Sequence, residues 1–178
     1  MWYGEETLMP EANAYSPIPT KILVPIDFSP SSHAALEAAA DLAKHFHAQI
    51  HLVHVIPMFP ATTLPDFIPE AKFLEETRAD AERLFAACKA DFSAKGIKVG
   101  SSIEVGDDVA GNILDVIDRE HIDMVVISTH GLTGWHPLVF GSIAEKVVKL
   151  VHCPILLLHS EKPVSSAKVK SGRLMEWW

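Results

Sequence analysis

The sequence predicts an α/β domain: a doubly wound five-stranded parallel sheet in the strand order 3-2-1-4-5, a Rossmann-like architecture. Three observations carry that prediction. Short apolar runs alternate with helix-length amphipathic stretches between residues 20 and 160. The runs are apolar at consecutive positions, which marks strands buried under helices on both faces. Right-handed crossovers, combined with coverage of both faces, favour this order.

The elements follow in turn. "KILVPID" (Lys21 to Asp27) is an apolar run ending in an acid. It leads into "FSPSSHAALEAAADLAKHF", where Ser29 suits an N-cap, Pro30 suits the first helical position, and Ala35, Leu36, Ala39, Leu42, Ala43 and Phe46 share one face. "AQIHLVHVIP" (Ala48 to Pro57) is a second strand. After a Pro-rich connection, a helix spans about Glu70 to Ala94, with Phe73, Thr77, Ala81, Leu84, Cys88 and Phe92 at helical spacing. "IKVGSSIEVG" (Ile97 to Gly106) is a third strand, and Asp107 or Asp108 caps a helix carrying Ile113, Leu114 and Ile117. "DMVVIS" (Asp123 to Ser128), a helix from about Ser142 to Val151 and "CPILLLH" (Cys153 to His159) complete the set.

At 178 residues there is room for one well-buried domain, expected over residues 20–160, with tails at 1–19 and 161–178. The composition is 48% hydrophobic and 21% charged, with no apolar run near the ~20 residues of a membrane span. A net charge of −8 repels phosphate backbones, so neither a nucleic-acid nor a membrane partner is expected. Cys88 and Cys153 lack CxxC spacing and read as reduced core thiols. The first residues do not combine a basic start with an apolar core, so the expected compartment is the cytoplasm.

In the predicted order the first and fourth strands are neighbours and the connection reverses between them. Ligands of open α/β sheets bind beyond the carboxyl ends of strands at such a point. The stretch "STHGLTGWHPLVFGS" (Ser128 to Ser142) leaves the fourth strand there. Its glycines, Gly131, Gly134 and Gly141, can adopt positive φ and admit a ligand to the backbone, and the next helix offers its positive end to an anion. An ordinary turn is the alternative, with Ser142 and Glu145 as a capping box. The loop is neither a P-loop nor G-x-G-x-x-G.

Three blocks together carry a resemblance. The stretch Ser128, two residues, Gly131, nine residues, Gly141, Ser142 resembles the nucleotide loop of the universal stress protein family, ATP-binding branch. "ILVPIDFS" is similar to that family's first strand, and "AEKVVKLVHCPILLLH" to its last helix and strand. Ser128 stands where the family motif has its first glycine. The resemblance implies a stress-response or regulatory protein that binds ATP, or AMP, with Mg²⁺ and at most slow hydrolysis. It implies adenine against Pro25, Ile26 and Asp27, with Val55 and Ile127 walling base and ribose. Ser128 borders the ribose or first phosphate, and Gly131, Gly141, Ser142 and Ile143 cradle the phosphates. It also implies a homodimer through the last strand, Pro154 to His159, whose apolar edge would otherwise stay unpaired.

From the residues alone Asp27 has two readings, a ligand contact or a turn-stabilising acid before a Ser-Pro cap. Ten histidines invite a metal reading, but His51 and His54 are three apart on a strand and point to opposite faces. His54 reads as a core histidine and His130 as a loop residue. No catalytic residue or metal site is expected. A nucleotide-free dimeric interaction module of the same fold is the alternative function; a hydrolase would need a base and a metal carboxylate, for which Asp27 is the one candidate.

Overall fold

The computed structural model describes residues 18–58, 70–129 and 141–159. The two tails, most of the Pro57 to Pro69 connection, and His130, Gly131 and Gly134 lie outside the described residues.

The chain runs β1 (Lys21–Pro25), α1 (Pro30–Phe46), β2 (Gln49–Pro57), α2 (Glu70–Ala94), β3 (Val99–Gly106), α3 (Val109–Arg119), β4 (Met124–Ser128), α4 (Ser142–Leu150) and β5 (Ile155–Leu158). All strand pairs are parallel, and the sheet order is β3-β2-β1-β4-β5, as the apolar runs predict.

Alternation within each strand divides the core in two. Ile22, Val24, Ile50, Leu52 and Val126 pack with Ala35, Leu36, Ala39 and Ala43 of α1 and Phe85 and Phe92 of α2. Leu23, Val53, Val55, Val125 and Ile127 pack with Ala110, Ile113, Val116 and Ile117 of α3 and Ala144 and Val147 of α4. Successive strand residues thus serve opposite layers, which is why the strands read as continuous apolar runs. The alanine-rich face of α1 lets that helix lie close to the sheet.

The helix starts follow their capping chemistry. Ser29 caps α1, its hydroxyl accepting from the Ser32 N–H, with Pro30 next in the chain. Asp108 caps α3 and accepts from the Gly111 N–H. The first strand ends at Pro25, earlier than the expected Asp27, because the chain turns there: Ile26 still donates its N–H to Val53 C=O at 2.8 Å, but Asp27 already belongs to the turn. Among the described residues no helix is long and apolar enough to cross a membrane.

Candidate functional site

The ladders between strands are unequal. β1 and β2 pair over five positions, to Pro25–Val53, and β4 and β5 over four, to Ser128–Leu158. Between β1 and β4 only Ile22–Met124 and Leu23–Val125 pair, both at the amino end. Beyond Leu23 and Val125 the two strands form no further ladder pair, and the crossovers on either side leave to opposite faces. The strand order reverses at this point, the place beyond the carboxyl ends of the strands where open α/β sheets have their ligand crevice.

One wall is the end of β1. Pro25 is half-buried and Ile26 buried. The Ile26 carbonyl accepts a hydrogen bond of 2.7 Å from His54 Nδ1. Phe28 follows with φ 60°, a left-handed backbone that a bulky residue adopts only when its surroundings hold it there. Its ring packs 4.7 Å from that of His54 and 6.0 Å from that of Phe85. Burial keeps the His54 imidazole below its ordinary value, against the opposing pulls of the Ile26 carbonyl and Asp27. His54 is half-buried, on the opposite face from His51, as its strand position predicts.

Asp27 is half-buried between these groups. Its Oδ1 accepts from the Ser29 N–H at 3.0 Å and from the Ser29 hydroxyl at 2.5 Å. The turn-stabilising reading of Asp27 is thus realised. It holds the carboxylate fixed at the mouth of the crevice, oriented by the same serine that caps α1.

The other wall is β4. Val55 of β2 and Ile127 of β4 are buried in the α3 and α4 layer. Ser128, 9% exposed, ends the strand. Thr129 comes next, fully buried, and ties the region together: its N–H donates to Leu158 C=O and its C=O accepts from Gly141 N–H, both at 2.8 Å. The hydrogen bond between Thr129 and Gly141 closes the base of the glycine loop. Sequence reasoning missed both Thr129 and Phe28. A small hydroxyl residue directly after a fully apolar strand, and an aromatic lodged between an acid and a capping serine, were the available signals.

Two expectations for the loop are corrected. Gly141 has φ −60° and ψ 143°, an extended conformation open to any residue, because it is the N-cap of α4 rather than a turn glycine. The capping box does not form: Ser142 is the first helical residue and α4 has no side-chain cap bond. Gly141 C=O accepts from Glu145 N–H at 2.9 Å, while the N–H groups of Ser142, Ile143 and Ala144 have no acceptor among the described residues. Ser142 and Ile143 are exposed. With the helix dipole, these donors suit a bound anion.

The nearest described cation on α4, Lys146, is engaged by the Asp108 carboxylate at 2.6 Å. That contact, followed by the Gly111 N–H, holds Asp108 below the usual carboxylate range. No group of three or more histidine, cysteine, aspartate or glutamate side chains converges as a metal site among the described residues. Pro25, Ile26, Asp27, Val55, Ile127, Ser128, Gly141, Ser142 and Ile143 all lie at or near the carboxyl edge of the sheet; Gly131 falls outside the described residues. The arrangement offers an apolar slot, a fixed carboxylate and uncapped backbone donors, which together can bind an apolar ring carrying an anion.

The universal stress protein family model matches residues 19–159. The chain is 28% identical over 142 residues to the universal stress protein MJ0531 of Methanocaldococcus jannaschii, covering 80% of this chain and 83% of that one. Among solved structures, the hypothetical protein MJ0577 superposes with a TM-score of 0.71 at 25% identity, over 82% of this chain and 99% of the other. A universal stress protein in complex with cAMP shares the fold with a TM-score of 0.59 at 17% identity, over 80% of this chain and 98% of the other. One from Archaeoglobus fulgidus in complex with dAMP does so with a TM-score of 0.55 at 19% identity, over 79% and 98%.

Proposed function

The chain belongs to the universal stress protein family, and on that premise we propose that it binds an adenine nucleotide, ATP or AMP, in the crevice between β1 and β4. Its role is then that of a stress-response or regulatory protein with at most slow ATP hydrolysis. The observation that carries this reading is the ladder broken after Leu23–Val125, which opens the sheet beside uncapped backbone donors. The cAMP and dAMP complexes of two proteins with this fold supply the ligand class.

In this reading adenine lies against Pro25 and Ile26, with Val55 and Ile127 as apolar support. Asp27, fixed by Ser29, accepts from the adenine amino group or a ribose hydroxyl. Ser128 borders the ribose. Gly131, Gly141 and the N–H groups of Ser142 and Ile143 hold the phosphates, with the Ser142 hydroxyl as a further donor. The residues present fit such a ligand because these donors have no acceptor among the described residues and the serine is not consumed by a cap. Mg²⁺ bound with ATP supplies neutralisation of phosphate charge, a need left open by the pairing of Lys146 with Asp108. A base and a positioned water are missing from this reading, so no hydrolytic step is assigned.

A second copy of the chain pairs along β5. That strand lies at the sheet edge, and Leu156, at 39% exposure, presents an apolar side chain there. Sedimentation equilibrium at micromolar concentration is expected to give a dimer; a monomer alone contradicts it.

Mass spectrometry of the denatured, freshly purified protein tests the ligand. An adenine nucleotide released in proportion to protein is expected. No nucleotide released, together with no binding of added ATP, would replace this reading with a dimeric interaction module.

A further inference from the structure

At the opposite, amino ends of the strands a second constellation of chemistry-bearing residues is assembled. His51 of β2 is 5% exposed, and its Nε2 lies 2.8 Å from Ser102 Oγ on β3. Its Nδ1 stands 3.7 Å from Glu120 Oε2, at the C-cap of α3. Glu120 is itself anchored, because Lys21 Nζ donates to its carboxylate and to its C=O, each at 2.8 Å. Hydroxyl, imidazole and carboxylate thus follow in the order that activates a nucleophile: a base within hydrogen-bond reach of the hydroxyl, and a carboxylate at ion-pair rather than hydrogen-bond distance from the other ring nitrogen.

The surroundings leave the hydroxyl approachable. Ser102 is half-buried on the edge strand β3. The ladder to β2 uses the carbonyls of Lys98 and Gly106, so even-numbered peptide groups of β3 face β2 and odd-numbered ones face the open edge. The Ile103 N–H, directly after Ser102, is therefore a donor outside the ladder. Gly100, two residues before Ser102 on the same face, keeps the imidazole uncrowded; a Cβ there would lie 3.1 Å from His51 Nδ1.

We propose that Ser102 is an activated nucleophile, with His51 as its general base and Glu120 as the residue that orients the imidazole, and that it accepts a small acyl group from an activated carboxylic ester. The Oγ–acyl bond forms as the ester C–O bond breaks. The hydroxyl proton passes to His51 Nε2 and then to the departing alcohol oxygen, and the Ile103 N–H is the donor available to the carbonyl oxygen as it gains charge. No oxidant, reductant or metal enters the step.

Burial holds His51 below its ordinary value of 6.5, opposed by the pull of Glu120 and aided by Lys21, Arg119 and Lys89. The ring is therefore neutral at pH 7 and able to accept a proton. Arg119 is in turn paired with Glu104 at 2.5 Å, so the charges around the ring are Lys21, Lys89, Glu104, Arg119 and Glu120.

The test treats the full-length protein with p-nitrophenyl acetate, follows nitrophenolate release and locates the acetyl group by peptide mass spectrometry. Acetylation of Ser102 is expected, absent in Ser102→Ala, and about 100-fold slower in His51→Gln, within the range of general-base catalysis. Glu120→Gln, which removes the charge beside the imidazole and its pair with Lys21, is expected to slow it at least about tenfold, less than the roughly 10⁴-fold loss of a hydrogen-bonded triad carboxylate. The rate should fall as pH drops through the depressed His51 value. Folding of each variant is checked by its melting curve, and Glu120→Gln carries the test if His51→Gln does not fold. Folded wild-type protein that stays unmodified at Ser102, or acetylation that neither Glu120→Gln nor pH alters, would overturn the proposal and leave the three residues as a structural clamp.

Discussion

The two ends of the sheet are built on opposite plans. At the amino end the polar groups answer one another: Asp123 accepts from Thr20 N–H at 2.8 Å, Lys21 N–H at 2.9 Å and the Thr20 hydroxyl, and Lys21, Glu120, His51 and Ser102 form a continuous chain. At the carboxyl end the ladder between β1 and β4 has lapsed, Phe28 sits in a left-handed conformation, and the first N–H groups of α4 have no acceptor among the described residues. The amino end locks strands and α3 together. The carboxyl end leaves donors and apolar surface for something else to use, and that contrast locates the ligand site more firmly than any single residue does.

The comparison is sharpest if stability and ligand affinity respond to opposite ends. Asp123→Ala removes three hydrogen bonds to a carboxylate and is expected to lower unfolding free energy by about 2 kcal/mol in urea denaturation. Nucleotide affinity in the folded protein should not change. Gly141→Val should do the reverse. Its extended backbone admits a β-branched residue, so the stability loss is confined to the poorer N-cap, about 1 kcal/mol, while the added side chain crowds the phosphates and weakens nucleotide binding at least about tenfold, or about 1.4 kcal/mol. An Asp123→Ala protein with normal stability, or a Gly141→Val protein that binds normally, breaks the contrast.

Acidification adds a smaller effect that both ends share. His51 and His54 are held below 6.5 chiefly by burial, so the unfolded chain takes up protons first as pH falls. Their contribution is fully present above about 6.5 and is lost as pH falls towards the folded values. Melting temperature should therefore be level above neutrality and drop as pH falls below 6.5; His54→Gln should flatten part of that slope. The smallest response belongs to Lys146→Ala, which breaks an exposed pair with Asp108 and should leave the melting temperature unchanged.

Much of the fold was legible in the chain because the governing signals are local. Continuous apolar runs, the Ser29-Pro30 start and the Asp108 cap are each set by neighbouring residues, and strand order follows from handedness once the runs are recognised. The place of the candidate site was legible in outline, since β1 and β4, the strands that lead into Asp27 and the glycine loop, are neighbours where the strand order reverses. Its details were not. Whether Ser142 caps α4 depended on where the helix begins, which Gly141 decides, and the φ of Gly141 follows from its bond to Thr129. The lapse of the β1–β4 ladder arises from the relative placement of two strands far apart in sequence, which no local pattern encodes. The same holds for His51, Ser102 and Glu120, which three separate elements bring together.

Isothermal titration of the purified, nucleotide-stripped protein with Mg-ATP tests the central claim most directly. Saturable binding at one site per chain, weakened at least about tenfold by Gly141→Val and unaffected by Asp123→Ala, is the expected result. No binding, or binding that Gly141→Val leaves intact, would contradict the assignment of the β1–β4 crevice as the nucleotide site.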